Sequence, residues 1–327
     1  MIFVYFLVLA IAFALLFKCA DFFIQGASAI AEILDIPKMV VGIVLVGLAT
    51  TAPEFGVSVM SSFLGKPEFA LGNAIGSVIC DDGIALAFAA ILAPTPILVN
   101  CRMLKIIGPF LLAIDFIAFG LARDGDISRI DGMILLILLG VYFLLIFKVP
   151  HFRSMKPQDT NCDANSKKRH VILDKKHELK RPVSLFGIGL IGVVLATRGV
   201  IWSAENISLY FSISEIVIGA TVLAIGTSLP EISTCIVAAL KGEGEIAVGD
   251  IIGADILNIL WIIGVASVVR PIRVELDIIN FTFPFMILIV LIMLVSMRIG
   301  CRLTKIKGII LFAIYLVYLF FTLTFFT

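Results

Sequence analysis

Apolar residues fall in ten blocks along this chain, each of about the 20 residues that cross a bilayer as a helix, with short polar breaks between them. The blocks lie near 2–32, 37–63, 69–93, 103–122, 130–148, 183–209, 213–240, 245–269, 278–297 and 306–326. The first and sixth exceed one crossing and should tilt or kink. A single long polar stretch, 149–182, carries Lys167-Lys168-Arg169 and Lys175-Lys176 and reads as a solvated linker between 1–148 and 183–327. The pattern predicts an all-α polytopic membrane protein.

Composition agrees with the pattern. Hydrophobic residues make up 61% of the 327 and charged ones 15%, with a mean hydropathy of +1.14, which a water-soluble core does not need. The net charge of +1 carries no sign of a nucleic-acid partner, because the charges are segregated by segment. His occurs only at 151, 170 and 177, inside the polar stretch, which argues against an intramembrane zinc enzyme built on paired imidazoles. The six cysteines (19, 80, 101, 162, 235, 301) show no paired spacing and are expected as small core residues, not as a disulfide framework. The first block runs into Lys18-Cys19-Ala20-Asp21 without a cleavage site and is expected to be a retained span.

Basic residues set the expected orientation. With 149–182 in the cytoplasm, the loops on that side hold about eighteen Lys and Arg and the opposite loops about five. Five spans precede the linker, so both termini are expected outside, in a prokaryotic cell membrane. Sliding the sequence by 177 positions aligns Glu54 with Glu231, Pro53 with Pro230, Gly42 with Gly219, Gly65 with Gly242, Glu68 with Glu245, Gly76 with Gly253 and Pro94 with Pro271. Chance likeness between apolar helices would match Leu, Ile and Val, not Gly, Pro and Glu in register. The ten helices thus read as two inverted five-helix repeats, an architecture that puts substrate sites where interrupted helices of the two halves meet.

Each repeat places a carboxylate in an apolar span, within Gly47-Leu48-Ala49-Thr50-Thr51-Ala52-Pro53-Glu54 and Ala224-Ile225-Gly226-Thr227-Ser228-Leu229-Pro230-Glu231. An ionisable group at membrane depth costs several kcal/mol, and its presence points to function. Pro53 and Pro230 lack an N–H, which frees the carbonyls of Ala49 and Gly226. Thr50 and Glu54 are four apart, as are Thr227 and Glu231, so hydroxyl and carboxylate share a helix face. The next helix adds Ser77 and Asp81 in the first half, with Asn258 standing where Asp81 does in the second. These are hard oxygen donors, suited to Ca²⁺ and Na⁺. Asp82 and Asp255 are further candidates, each one residue off the inward face. Asn73 and Asp250, one turn earlier, fit the lining of an aqueous mouth. Gly72, Gly76, Gly249 and Gly253 fit close helix packing. Lys18, Asp21, Arg198 and Glu205 fit structural ion pairs.

On these motifs the chain resembles the calcium/cation antiporter superfamily, and within it the sodium/calcium exchanger branch. Gly-Thr-Ser-Leu-Pro-Glu at 226–231 matches that branch's signature in full, and Ala-Thr-Thr-Ala-Pro-Glu at 49–54 matches it closely. The resemblance implies ten helices in two inverted repeats and Ca²⁺ bound by Glu54 and Glu231. It also implies Na⁺ bound by Thr50, Thr51, Ser77, Thr227 and Ser228 with nearby carbonyls, and no cofactor. Departures are Ala254 where the family has Ser, Val78 and Asp255 where it has Asn, and an apparent exchange of Asp81 and Asn258 between repeats.

The expected function is therefore an antiporter that exports Ca²⁺ in exchange for Na⁺ by alternating access, with the lipid bilayer as its medium. The two glutamates would bridge Ca²⁺. Once emptied they repel each other, which favours entry of Na⁺ or H⁺. The first and sixth helices, long and without the signature, would slide as the gate. The alternatives are H⁺ coupling or another divalent ion on the same fold, and, from a different class, a cation channel. An enzyme is disfavoured because no nucleophile–base pair accompanies the carboxylates.

Overall fold

The computed structural model describes residues 2–148, 171–210 and 224–325. The protein is helical, with α1 (Ile2–Leu34), α2 (Lys38–Phe63), α3 (Pro67–Leu92), α4 (Cys101–Ala122) and α5 (Arg129–Lys148) in the first half. The second half has α6 (Val171–Tyr210), α7 (Ala224–Thr227 continuing as Leu229–Leu240), α8 (Gly244–Val269), α9 (Ile278–Cys301) and α10 (Lys305–Phe325). Nine helices among the described residues are long and apolar enough to cross a membrane, and the described part of α7 is a shorter apolar helix. The start of the expected seventh span, with Gly219, lies outside the described residues. So does Cys162 with 149–170, while 171–182, expected as linker, already belongs to α6.

The two halves repeat each other in detail. Helices α2 and α7 both end on a glycine with positive φ, Gly65 (φ 89) and Gly242 (φ 77), a conformation that glycine adopts without strain. Lys66 N–H donates to the Ser61 carbonyl at 2.9 Å, and Glu243 N–H to the Ala238 carbonyl at 2.8 Å, residue for residue under the 177 shift. Two short antiparallel strand pairs obey the same symmetry. The strand after α3, β1 (Ile97–Leu98), pairs with the one after α9, β4 (Arg302–Leu303). The strand after α4, β2 (Asp126–Ile127), pairs with the one after α8, β3 (Ile272–Arg273).

The first strand pair also corrects the reading of the cysteines. It draws the start of α4 to the end of α9, and Cys101 and Cys301 form a disulfide with a Cα–Cα distance of 5.5 Å. A separation of 200 residues gave no spacing signal, because the partners meet only through the repeat architecture. Cys80 and Cys235 are buried free thiols, as expected, and Cys19 is half-buried.

Burial separates centre from rim. In its most apolar window α8 is 83% buried, whereas α1 is 11% buried. Helices α2 and α8 touch backbone to backbone: a Cβ on Gly42 would lie 2.5 Å from the Ile246 carbonyl, and Gly249 and Gly253 abut Met39 and Ile43. Gly249 and Gly253 thus pack as expected, but Gly72 and Gly76 do not: a Cβ on either would meet nothing within 4 Å, so the close approach is made by α8 against α2 and not by α3.

On the rim, α1 and α6 form an antiparallel pair, with Phe23 stacked on Phe186 at 4.5 Å and Gly26 and Gly189 facing Phe186 and Phe23. At one end α1 is tied to the α7–α8 turn. Lys241 pairs with Asp21 at 2.6 Å, Lys38 bridges Glu243 at 2.7 Å and Glu32 at 3.3 Å, and Ser28 donates to Glu243 at 2.8 Å. Asp21 also meets Lys18, more loosely, at 3.6 Å. The side chain of Glu205 lies outside the described residues, so its expected pairing with Arg198 does too.

Candidate functional site

The site forms where α2, α3, α7 and α8 cross, and its residues arrive there through local departures from α-helix. Helix α2 stays helical through Pro53, so the Ala49 carbonyl lacks its usual donor four residues on. Helix α7 breaks at Ser228 (φ −85, ψ 5), immediately before Pro230, which leaves the Gly226 carbonyl at the end of the Ala224–Thr227 turn. The sequence suggested two equivalent interruptions. Among the described residues there is one break, in α7, while α2 has a wide π-turn at Gly42–Val46, whose equivalent in the second half lies outside the described residues.

Helices α3 and α8 also widen, at Asp81–Leu86 and Asn258–Ile263. These π-turns begin on the two residues that appear exchanged between repeats. Such turns concentrate at functional sites because they redirect a side chain and leave a backbone carbonyl underused.

Glu54 is fully buried. Its Oε1 accepts from Ser77 Oγ at 2.7 Å and from Ser228 Oγ at 3.1 Å, so one carboxylate joins a hydroxyl of its own repeat to one of the other. Its Oε2, both oxygens of Glu231, both oxygens of Asp81 and the Thr51 hydroxyl are buried without a protein hydrogen bond. Buried polar atoms are seldom left so. Glu54, Asp81, Asp250 and Glu231 are close enough to act on one another electrostatically, and Asn258 adjoins Glu54. Four carboxylates in one apolar environment repel strongly unless cations or protons offset them.

Hydrogen bonds and mutual electrostatics thus link Glu54, Ser77, Asp81, Ser228, Glu231 and Asn258, with Thr50 joined through Asp250 and Thr227 through Asn73. Among the described residues, no hydrogen bond ties Thr51 or the Ala49 and Gly226 carbonyls to them. Asp82 and Asp255 sit differently. Asp82 is close enough to Asp115 of α4 for electrostatic repulsion, and Asp255 to both of them and to Asp81 and Glu54. All three of these aspartates are buried with unpartnered oxygens. Asp115 had escaped notice, although an acid in the middle of an apolar span is itself a signal. Among the described residues, no three acidic, thiol or imidazole side chains converge as a ready metal centre. A cation here would draw on two carboxylates together with hydroxyls and carbonyls, a donor set for hard ions.

Asp250 is the other residue the sequence reading undervalued. It does not line a watery mouth; it is buried and accepts from Thr50 Oγ1 at 3.1 Å and from Thr234 Oγ1 at 2.8 Å. Its repeat equivalent, Asn73, accepts from Thr227 Oγ1 at 3.3 Å and donates to Ser58 Oγ at 3.0 Å. A groove of ≈ 640 Å³ lies between α2, α6 and α7, bordered by Pro53, Thr197, Arg198, Gly226, Thr227 and Pro230. It reaches the site on the side away from the Asp21–Lys241 and Lys38–Glu243 ion pairs.

Comparison with known proteins matches this geometry to a family. Residues 4–148 and 182–324 match the family described as sodium/calcium exchanger protein. Inner membrane protein YrbG of Escherichia coli is 35% identical over 263 residues, which cover 80% of this chain and 79% of that protein. Sodium/calcium exchanger MaX1 of Methanosarcina acetivorans is 30% identical over 349 residues, covering 98% of each. The sodium-calcium exchanger NCX_Mj, in a structure soaked with Na⁺ and Ca²⁺, superposes with a TM-score of 0.82 at 27% identity over 98% of both chains. A multi-pass helical membrane protein built as two inverted repeats, with a buried glutamate from each at their crossing, this chain belongs to the sodium/calcium exchanger family.

Proposed function

We propose that this antiporter exports Ca²⁺ in exchange for Na⁺. The observation that carries the reading is the proximity of buried Glu54 and Glu231, one from each repeat, with three of their four carboxylate oxygens lacking a protein donor. A divalent cation between them offsets both charges. When it leaves, like-charge repulsion favours replacement by more than one monovalent cation. Thr50 and Thr51 on one side, and Ser77, Thr227 and Ser228 on the other, with the Ala49 and Gly226 carbonyls, supply neutral oxygens for Na⁺. Names of relatives that pair sodium with calcium support the choice of ions.

Alternating access follows from the asymmetry around the site. The groove at Thr227 and Pro53 gives a path from the face opposite the basic linker. On the linker face, α1 packs against α7, and the Asp21–Lys241 pair of α1 and the Lys38–Glu243 pair of α2 to the α7–α8 turn hold that path shut. Basic residues assign the linker face to the cytoplasm, so the cell exterior sees the groove. A membrane-impermeant thiol reagent should reach Cys162, as the single remaining cysteine, only from the cytoplasmic face. Labelling in intact cells would invert this orientation.

Uphill flux tests the function. Proteoliposomes loaded with Na⁺ and diluted into Na⁺-free buffer should accumulate Ca²⁺ above its external concentration. A pH gradient imposed without Na⁺ should not drive this. Mere equilibration of Ca²⁺ would identify a channel, and accumulation driven by pH alone would identify H⁺ as the counter-ion.

A further inference from the structure

The two repeats supply matching hydroxyls to the site but hold them with unlike partners. Thr50 donates to Asp250 and Thr227 to Asn73, residues equivalent under the 177 shift, so one threonine stands beside a carboxylate and the other beside a neutral amide. Asp250 is 1% exposed and accepts on both oxygens, from Thr50 of α2 and Thr234 of α7. It thus joins three helices of both repeats. Its place is held by backbone contact, because the adjoining Gly249 leaves no room for a side chain between α8 and α2. Ala254, the equivalent of Ser77, adjoins Gly47 of α2, so the Thr50 side has Asp250 but lacks the hydroxyl that Ser77 gives the Ser228 side.

We propose that Asp250 is a positioning and selectivity residue that makes the two monovalent seats unequal, with the seat at Thr50 and Thr51 tighter for Na⁺ than the one at Ser77, Thr227 and Ser228. The assignment rests on the antiport reading above. Asp250 accepts a hydrogen bond from the Thr50 hydroxyl, which also reaches the Val46 and Gly47 carbonyls, and its negative charge adds attraction where the equivalent Asn73 adds none. The Glu54–Glu231 pair keeps its own two charges, so losing Asp250 removes a smaller share of the attraction for Ca²⁺ between the glutamates than for Na⁺ at Thr50.

The test compares Na⁺ and Ca²⁺ dependence of exchange in proteoliposomes for the intact protein, Asp250→Asn, Asn73→Asp, the double variant and Thr234→Val. Asparagine can bond a hydroxyl on either side, as Asn73 does, so Asp250→Asn preserves the junction while removing its charge. It should raise the half-saturating Na⁺ concentration on the order of tenfold, with a much smaller change for Ca²⁺ and reduced Na⁺ cooperativity. The double variant moves the charge to the other seat and should recover a large part of the Na⁺ affinity. Thr234→Val keeps the charge and should leave the Na⁺ value near that of the intact protein. Equal shifts for Na⁺ and Ca²⁺, or a Thr234→Val variant that mimics Asp250→Asn, would reduce Asp250 to a structural pin and overturn the proposal. An intact protein with no Na⁺-driven flux would instead overturn the function, and this assignment with it.

Discussion

Replacing either Glu54 or Glu231 with Gln should bring Ca²⁺ transport to near background while the protein still inserts and folds. Each substitution keeps size and removes one of the two charges that face a divalent ion in a medium of low dielectric. A single charge there is worth several kcal/mol, or at least about a hundredfold in affinity. Both residues are fully buried, and the oxygens of Glu231 have no protein donor to lose. Folding should therefore be spared, and relief of repulsion could even stabilise the variant in the absence of ions. The Glu54 variant carries one complication, because Ser77 and Ser228 both donate to Oε1. The Gln carbonyl can still accept from them. Substantial Ca²⁺ flux in either variant, at normal folded yield, would remove that glutamate from the cation site.

The second large effect concerns Asp81 and Asn258, the residues that open the two equivalent π-turns. If both face one site, the charge matters more than the repeat that supplies it. Asp81→Asn alone should cut transport at least about tenfold, the scale of one charge partly screened by its neighbours. Adding Asn258→Asp should restore part of it by returning a carboxylate from the opposite helix. If Asp81 merely serves the packing of α3, the added acid would be one more uncompensated buried charge, and the double variant would be worse than the single. Rates and folded yields of the intact protein, both single variants and the double decide this through the sign of the non-additivity.

The repeat and its chemistry were legible in the sequence because they rest on residues that membranes penalise. Pro53, Glu54, Pro230 and Glu231 stand out against aliphatic helices, and Gly65 and Gly242 mark the helix ends with the positive φ that both adopt. What the sequence hid is what depends on contact between distant segments. The Cys101–Cys301 bond needs the β1–β4 pairing. The π-turns at Asp81 and Asn258 change no residue type that a periodicity could register. Asp250 looked peripheral because it precedes the motif by one turn, yet close glycine packing carries it inside, against Thr50. The unequal handling of the two prolines, continuous helix at Pro53 and a break before Pro230, has no counterpart in the motifs, which are nearly the same.

The claim on which the account turns is that Glu54 and Glu231 make one site and not two. Equilibrium Ca²⁺ binding to the purified protein in Na⁺-free buffer measures it most directly. One Ca²⁺ should bind per chain, added Na⁺ should displace it, and either Glu54→Gln or Glu231→Gln should abolish it. Two Ca²⁺ per chain, with each variant retaining one, would contradict the shared site.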